Sequence, residues 1–443
     1  MSQTFFPRWR RVSGTSADTV VLPEEYLPLP QSIAMSAQHV VAMFGSTILA
    51  PLLMGFDPNL AILMSGLGTL IFFFFVRGRV PSYLGSSFAF IGGVVAVTGY
   101  AGSGPNPNIG VALGAIIVCG LVYTLIGFLV WLADRKTGRA AALINRMMPP
   151  VVTGAIVAVI GLNLAPLAAE GAMGGSTFEA LMALMTVLSV GAVAMYSRGV
   201  VQRLLILVGL IVACLIYAAL TNGLGLGTPI DTSKVAAAPW FGLPSFSAPV
   251  FAPEAMTVIV PVAIILVAEN LGHIKAVAAM TERNLDKYLG PAFMGDGVAT
   301  MVSASMGGTG VTTYAENIGV MAATRIYSSL LFVLAACMAI FLGFSPKFGE
   351  VIRMIPGPVL GGMSIVVFGL ITVAGARIWV VNQVDFSKSK NLLVAAVTLI
   401  LGAGNFGIEI GFLRLDGIGT ATFGAIILHA LLSLRPEPQT AEK

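Results

Sequence analysis

Pro150–Leu162 reads PVVTGAIVAVIGL, and Pro358–Leu370 reads PVLGGMSIVVFGL. The two stretches align without a gap, each opening on proline and closing on Gly-Leu. A second, shorter pair follows the same order along the chain. Ser86-Ser87-Phe88-Ala89-Phe90 matches Thr312-Thr313-Tyr314-Ala315-Glu316 as two small hydroxyl residues, an aromatic and an alanine. Either match alone is within reach of chance between apolar segments. Both in one order point to an internal duplication.

Outward from these stretches the chain is apolar throughout. Of its 443 residues 57% are hydrophobic and 10% charged, and the mean hydropathy is +0.92. A soluble surface needs about 25% charge to be solvated. A bilayer removes that need, and about 20 mostly apolar residues span it as a helix. Continuous runs such as Leu204–Leu220 exclude the short alternating segments of a transmembrane barrel. Hydropathy predicts about fourteen spans, among them 82–99, 150–168, 311–323, 326–344, 356–374 and 391–411.

The repeat pairs fall on the third and tenth spans and on the fifth and twelfth, so each copy holds seven. Seven is odd, and the second copy therefore enters the membrane from the opposite side, an architecture of secondary transporters. The predicted fold is an all-α polytopic membrane protein with two inverted seven-helix repeats. Spans 3 and 10 are short and interrupted by glycine and small polar residues. Irregular backbone is tolerated in a membrane only where protein or a wet cavity satisfies it. These two breaks are the predicted floor of a substrate site.

Charge tests the count, because Lys and Arg gather on cytoplasmic loops. With a cytoplasmic N-terminus, fourteen spans leave only Lys234, Lys347, Arg353 and Arg414 on the far side, and the other 20 of 24 cations on the near side. A missed or invented helix would scramble that segregation. Both ends are therefore expected in the cytoplasm. The first 30 residues hold no apolar stretch of a cleavable signal peptide. The basic balance belongs to loops at the membrane and implies no nucleic acid.

Several chemistries are missing. Gly307–Gly310 (GGTG) lacks the Gly-Lys-Ser/Thr of a P-loop. Cys119, Cys214 and Cys337 lie in apolar runs without ligand spacing, and small packing residues is the expected reading. No cofactor, metal or catalytic constellation is expected, so the chain is not read as an enzyme. An ion gradient is the energy source that remains.

An ionisable group at the bilayer centre costs roughly 2.5–3.5 kcal/mol on insertion scales, so each one asks for a reason. Glu269 and Glu316 stand out. Glu269 and His273 are four apart and share a helical face, a carboxylate and imidazole suited to accepting and relaying a proton. Gln38-His39 in the first span occupy a related position, as ligand contacts or structural ones. Glu316 is flanked by Thr312, Thr313, Tyr314 and Asn317. Two carboxylates favour a neutral or cationic ligand rich in N–H donors and repel anions. A planar amide such as uracil fits: backbone amides near Phe88 and Tyr314 would meet its carbonyls, and those rings would wall it. Asp296, between two glycines, is expected at a helix start in a structural role.

Glu316-Asn317-Ile318-Gly319-Val320-Met321-Ala322-Ala323-Thr324-Arg325 resembles the signature of the nucleobase–ascorbate transporter family: Gln, Glu or Pro, then Asn, any residue, Gly, four more, Thr and Arg, Lys or Gly. The similarity extends to Gln38-His39, Tyr83–Phe90 and Ala268–His273, and is nearest to bacterial pyrimidine permeases. The resemblance implies a core domain of spans 1–4 (33–133) and 8–11 (256–344). It implies a gate domain of spans 5–7 (150–221) and 12–14 (356–434), with cytoplasmic segments 1–32 and 435–443. It further implies that Glu269, Glu316, Phe88, Tyr314 and Ala315 bind the nucleobase, that Glu269 and His273 couple protons, and that the protein is a homodimer. His39, Gln38, Asn317, Thr312, Thr313, Ser87 and Phe368 would support the site. Glu at the first signature position is similar to uracil members, many purine members having Gln. Two departures are Ala315, where uracil members have Gly, and Phe368, where they have Tyr. The expected function is proton-coupled uracil uptake, thymine included, across the inner membrane. A purine symporter of the family is the alternative, and an anion exchanger or channel on the fold a more distant one.

Overall fold

Backbone N–H and C=O groups find no water in a bilayer core, so apolar segments satisfy them internally as helices. The computed structural model describes residues 5–12, 20–100, 104–137, 140–411 and 413–434. Part of the N-terminal segment, Arg139 and the whole 435–443 tail thus lie outside the described residues. Among those described, eight helices are long and apolar enough to cross a membrane, or nine if a pair bent by 83° at Ser345 is one span. The expected spans 3, 9, 10, 13 and 14 fall on shorter helices, and the count of fourteen depends on how these are joined.

Local sequence sets the helix ends. Asp57 caps Pro58–Phe75 by accepting from the Asn59 amide at 2.8 Å, with proline at the first position. Ser176 caps Thr177–Tyr196 and Asp416 caps Gly417–Leu432 in the same way. The expected span 391–411 is shorter in the structure, where the helix is Ser389–Ala403. Asn405 turns left-handed (φ 47°) and the Phe406 amide bonds back to Leu401 O at 2.9 Å, the geometry that closes a helix. The residues beyond form a strand pair, Ile408–Ile410 with Leu413–Leu415.

Glycines let the helices approach. Leu289–Ser305 lies against Ile109–Thr137 and Pro58–Phe75. A Cβ on Gly297 would stand 2.7 Å from Gly120 O, and one on Gly127 2.5 Å from the Met294 amide. Such small-residue seams are how membrane helices gain contact without a hydrophobic drive between them. A second group packs Gly357–Val381 against Pro150–Asn163, Ala165–Met173 and Thr177–Tyr196, and Ser389–Ala403 against Gly417–Leu432.

The two repeat stretches quoted above meet in this second group, running in opposite directions. Gly154 faces Gly375 and Trp379, whereas Gly161 faces Phe368 and Thr372. Near the start of Gly357–Val381, Gly361 faces Gly171. An antiparallel crossing of this kind is what oppositely inserted copies produce.

The N-terminal segment is sewn to the turn that follows Thr324. Val21 N–H donates to Arg325 O (3.0 Å) and Val21 O accepts from the Tyr327 amide (2.8 Å). Glu24 takes both terminal nitrogens of Arg283 at 2.6 and 2.7 Å. That guanidinium holds the Glu24 carboxyl below its usual 4.5. A depressed carboxyl gives stability that is whole above 4.5 and is lost as pH falls through the lower folded value. The pair is partly exposed, so screening keeps the effect modest. Hydrogen exchange at the Val21 and Tyr327 amides, corrected for intrinsic rates, is expected to quicken on acidification below 4.5. Arg283→Ala is expected to show the quickened rate already at pH 7. Equal protection in variant and parent at pH 7 would refute the strap.

Candidate substrate site at two strand–helix breaks

The two interrupted spans are each a short strand followed by a short helix. Leu84–Ser86 leads into a turn of 3-10 helix at Phe88–Phe90 and then Ile91–Thr98. Val311–Thr313 leads into Ala315–Thr324. The strands pair antiparallel with Leu84 opposite Thr313 and Ser86 opposite Val311. Flanking bonds continue the ladder, Ser87 N–H to Gly310 O at 2.9 Å and Tyr314 N–H to Tyr83 O at 3.0 Å. Strand edges that lipid could not solvate thus satisfy each other inside protein. Both helices start at this crossing, and their first N–H groups have no acceptor within their own helix. Such half-helix starts offer donors to an oxygen-bearing ligand.

Glu316 sits in the first turn of Ala315–Thr324, directly after Ala315, and Ser46 Oγ donates to its Oε1. Glu269 comes from Val262–Thr281 and lies beside the Ser87 and Thr312 hydroxyls, near enough to Glu316 for their charges to interact. Among the described residues its buried Oε2 has no hydrogen-bond partner, nor has Thr312 Oγ1. His273, one turn along, has Nδ1 2.9 Å from Thr313 Oγ1. The helix carrying Glu269 is thereby tied to the strand that leads into the helix of Glu316.

Phe88 and Phe368 meet edge to face, 5.9 Å between centroids and 84° between planes. They come from the first strand–helix break and from Gly357–Val381, so the contact joins the two helix groups. Tyr314 is turned inward: its hydroxyl donates to Ser86 O (3.0 Å), accepts from Thr47 Oγ1 (3.2 Å), and its ring covers Gly85. The sequence suggested that this ring walls a ligand. In the structure its hydroxyl and ring also brace the strand pair.

Asn317 and His39 are brought to each other. Asn317 Nδ2 donates to His39 O at 3.0 Å and lies 3.1 Å from His39 Nδ1, which pins Ala315–Thr324 to Leu29–Met54. His39 is fully buried and its Nε2 has no partner, like Gln38 Nε2. Asp296 stands mid-helix in Leu289–Ser305 and not at a helix start. Asn270, next to Glu269, donates to Asp296 Oδ2 at 2.5 Å and to the Tyr123 hydroxyl oxygen at 3.0 Å. A buried polar cluster therefore backs the Glu269 helix. Sequence reasoning overlooked Ser46 and Thr47; Ser46 falls seven residues after His39 on one helical face, a signal that was available.

Comparison with known proteins follows from this geometry. The profile described as the permease family matches residues 30–409. RutG of Escherichia coli (strain K12), named as a pyrimidine permease, is 60% identical over 447 residues and covers 100% of both chains. A uracil permease of Bacillus caldolyticus is 39% identical, covering 92% of this chain and 93% of its own. The uracil permease of Escherichia coli (strain K12) is 37% identical, with 93% and 94% covered. Among solved structures, the transmembrane domain of the cyanobacterial bicarbonate transporter BicA superposes with a TM-score of 0.57 at 16% identity, over 90% of this chain and 97% of that one. The murine anion transporter Slc26a9 in its inward-facing state gives 0.63 at 10% identity, over 92% and 68%. These two share the fold alone. The sequence matches cover nearly the whole chain, and with the inverted crossing and the signature at Glu316 they fix the assignment: this multi-pass membrane protein belongs to the permease family of nucleobase–ascorbate transporters.

Proposed function

We propose that the chain takes up uracil, and thymine with it, by proton-coupled alternating access. The observation that carries the proposal is the pair of carboxyls, Glu269 and Glu316, set at the crossing of two half-helix starts. Uracil offers ring N–H donors and carbonyl acceptors in one plane. Glu316 and Glu269 would accept from the ring nitrogens, while free amides at Phe88 and Ala315 would donate to the carbonyls. The names of the bacterial relatives, pyrimidine and uracil permeases, point to the same substrate class.

In this reading segments 33–133 and 256–344 form a core that holds the ligand, and 150–221 and 356–434 form a gate. The Phe88–Phe368 contact is then the seal that parts when the gate moves. Glu269, with an unpartnered oxygen and His273 a turn away, receives the coupled proton. In the same reading the protein works in the inner membrane as a homodimer with cytoplasmic ends.

The deciding experiment is uptake of radiolabelled uracil into cells that lack their own permeases, with and without a protonophore. Uptake is expected to collapse with the proton gradient and to be competed by uracil and thymine but not by xanthine. Competition by xanthine would move the substrate to purines, and uptake indifferent to the protonophore would remove the coupling.

A further inference from the structure

Beside the Leu289–Ser305 and Ile109–Thr137 helices, away from the carboxyl pair, two cavities of about 530 and 510 Å³ adjoin and share Arg79, Lys287 and Tyr288. The first is completed by Arg283, and the second by Arg77, Arg135, Trp131 and Phe75 among others. No acid lines either one among the described residues. Arg283 is paired with Glu24, but Arg77, Arg79, Arg135 and Lys287 have no ion-pair partner among the described residues. Three of them lie over aromatic faces instead: Arg77 over Phe5 at 5.1 Å, Arg135 over Trp131 at 4.9 Å and Lys287 over Tyr288 at 5.1 Å.

Four cations around one hollow repel each other; Glu24, already bonded to Arg283, also attracts Arg79, and a water-filled hollow is a poor remedy for the remaining charge. Their position settles what would relieve them. Arg77 follows the end of Pro58–Phe75, Arg135 is near the end of Ile109–Thr137, and Lys287 precedes Leu289–Ser305. Two helices thus bring their C-terminal ends and the third its N-terminal start to this groove, which sets it at one membrane boundary. Below Trp131 the outward face of its helix is apolar and open: Leu125 is 54% and Phe128 43% exposed, and the Phe128 ring lies 5.8 Å from Trp131. A cationic, aromatic-rimmed hollow above an acyl-compatible wall matches one chemistry.

We propose that this groove binds an anionic glycerophospholipid, its phosphodiester between Arg77, Arg79, Arg135 and Lys287 and its chains along Leu125 and Phe128. Cationic pockets between membrane helices take acidic headgroups by the same electrostatics. Bound lipid would tie the N-terminal segment, through Phe5, to the ends of three helices. The site is separate from the carboxyl pair and does not depend on which nucleobase is carried.

The test titrates the delipidated full-length protein with phosphatidylglycerol or phosphatidylcholine and counts bound lipid by native mass spectrometry. Phosphatidylglycerol is expected to bind at least about tenfold more tightly. Arg79→Gln with Lys287→Gln is expected to erode that preference by about fivefold per cation removed, with uracil binding by the purified variant as the check on folding. Should the double variant fail to fold, Arg77→Gln alone is expected to move the preference in the same direction. Equal affinity for the two lipids in the parent, or an undiminished preference in a folded variant, would overturn the proposal. Glycerol phosphate added free is expected to leave lipid binding unchanged; displacement by it would make this a site for soluble phosphates and overturn the lipid assignment.

Discussion

Glu269→Gln is expected to abolish uphill accumulation of uracil while leaving uracil binding within about tenfold of the parent. The amide resembles a permanently protonated carboxyl: it keeps a carbonyl to accept a ring N–H, and it cannot release a proton. One coupled charge draws ~2.3 kcal/mol from each 100 mV of potential, which sustains roughly fiftyfold accumulation at ~1.4 kcal/mol per tenfold. Removing the coupled proton takes the internal-to-external ratio toward one. Exchange of external for internal label should survive, because a carrier that needs no proton cycle can still reorient with substrate. Glu316→Gln is expected to fail differently. Its carboxyl is oriented by Ser46, and a hydrogen bond to a charged acceptor is worth about 1.5–3 kcal/mol. Its loss should weaken uracil binding by about tenfold to a hundredfold by calorimetry on purified protein. Protonophore-sensitive accumulation in Glu269→Gln would remove Glu269 from the coupling, and an unchanged affinity in Glu316→Gln would remove Glu316 from the site.

These two positions were readable because charge is expensive in a bilayer. Glu269 and Glu316 stood out against apolar runs without any structure, and the repeat around Ser86 and Thr312 located the breaks they face. What could not be read was the join. A three-residue strand has no periodicity to detect, and nothing in the sequence states that Leu84–Ser86 pairs with Val311–Thr313. That pairing turns the Tyr314 ring into a brace over Gly85. Partners more than 200 residues apart, such as Ser46 with Glu316 or His39 with Asn317, follow only once the repeats are folded together.

The fold was legible to a similar depth. The Pro150–Leu162 and Pro358–Leu370 repeat announced inverted copies, and their antiparallel crossing on Gly154 and Gly161 bears this out. Helix ends were less accessible, as the thirteenth span shows. Apolar residues Ile408 and Ile410 extended its hydropathy, whereas Asn405 stops the helix by a backbone conformation that hydropathy does not register.

Gly310→Ala is expected to cripple transport although position 310 carries no chemistry. A methyl there would stand 2.1 Å from Cε2 of the Phe90 ring, which is fully buried. Neither side can yield cheaply, because Gly310 O also accepts the Ser87 amide that continues the strand pair. Overpacking of this kind costs about 1–3 kcal/mol, and a displacement of ~1 Å at a positioned site costs on the order of a hundredfold in rate. Ser87 lies beside Glu269, so the shift is delivered to the carboxyl through one hydrogen bond. The variant should insert and reach the membrane in normal amount, show a lowered melting temperature in detergent, and transport uracil about a hundredfold more slowly. Phe90→Leu in the same chain removes the ring the methyl strikes and should restore most of the transport. The rescue is the decisive arm, since two harmful changes with no shared cause would add. A double variant slower than either single one would mean that the strand crossing does not position the carboxyls through this contact.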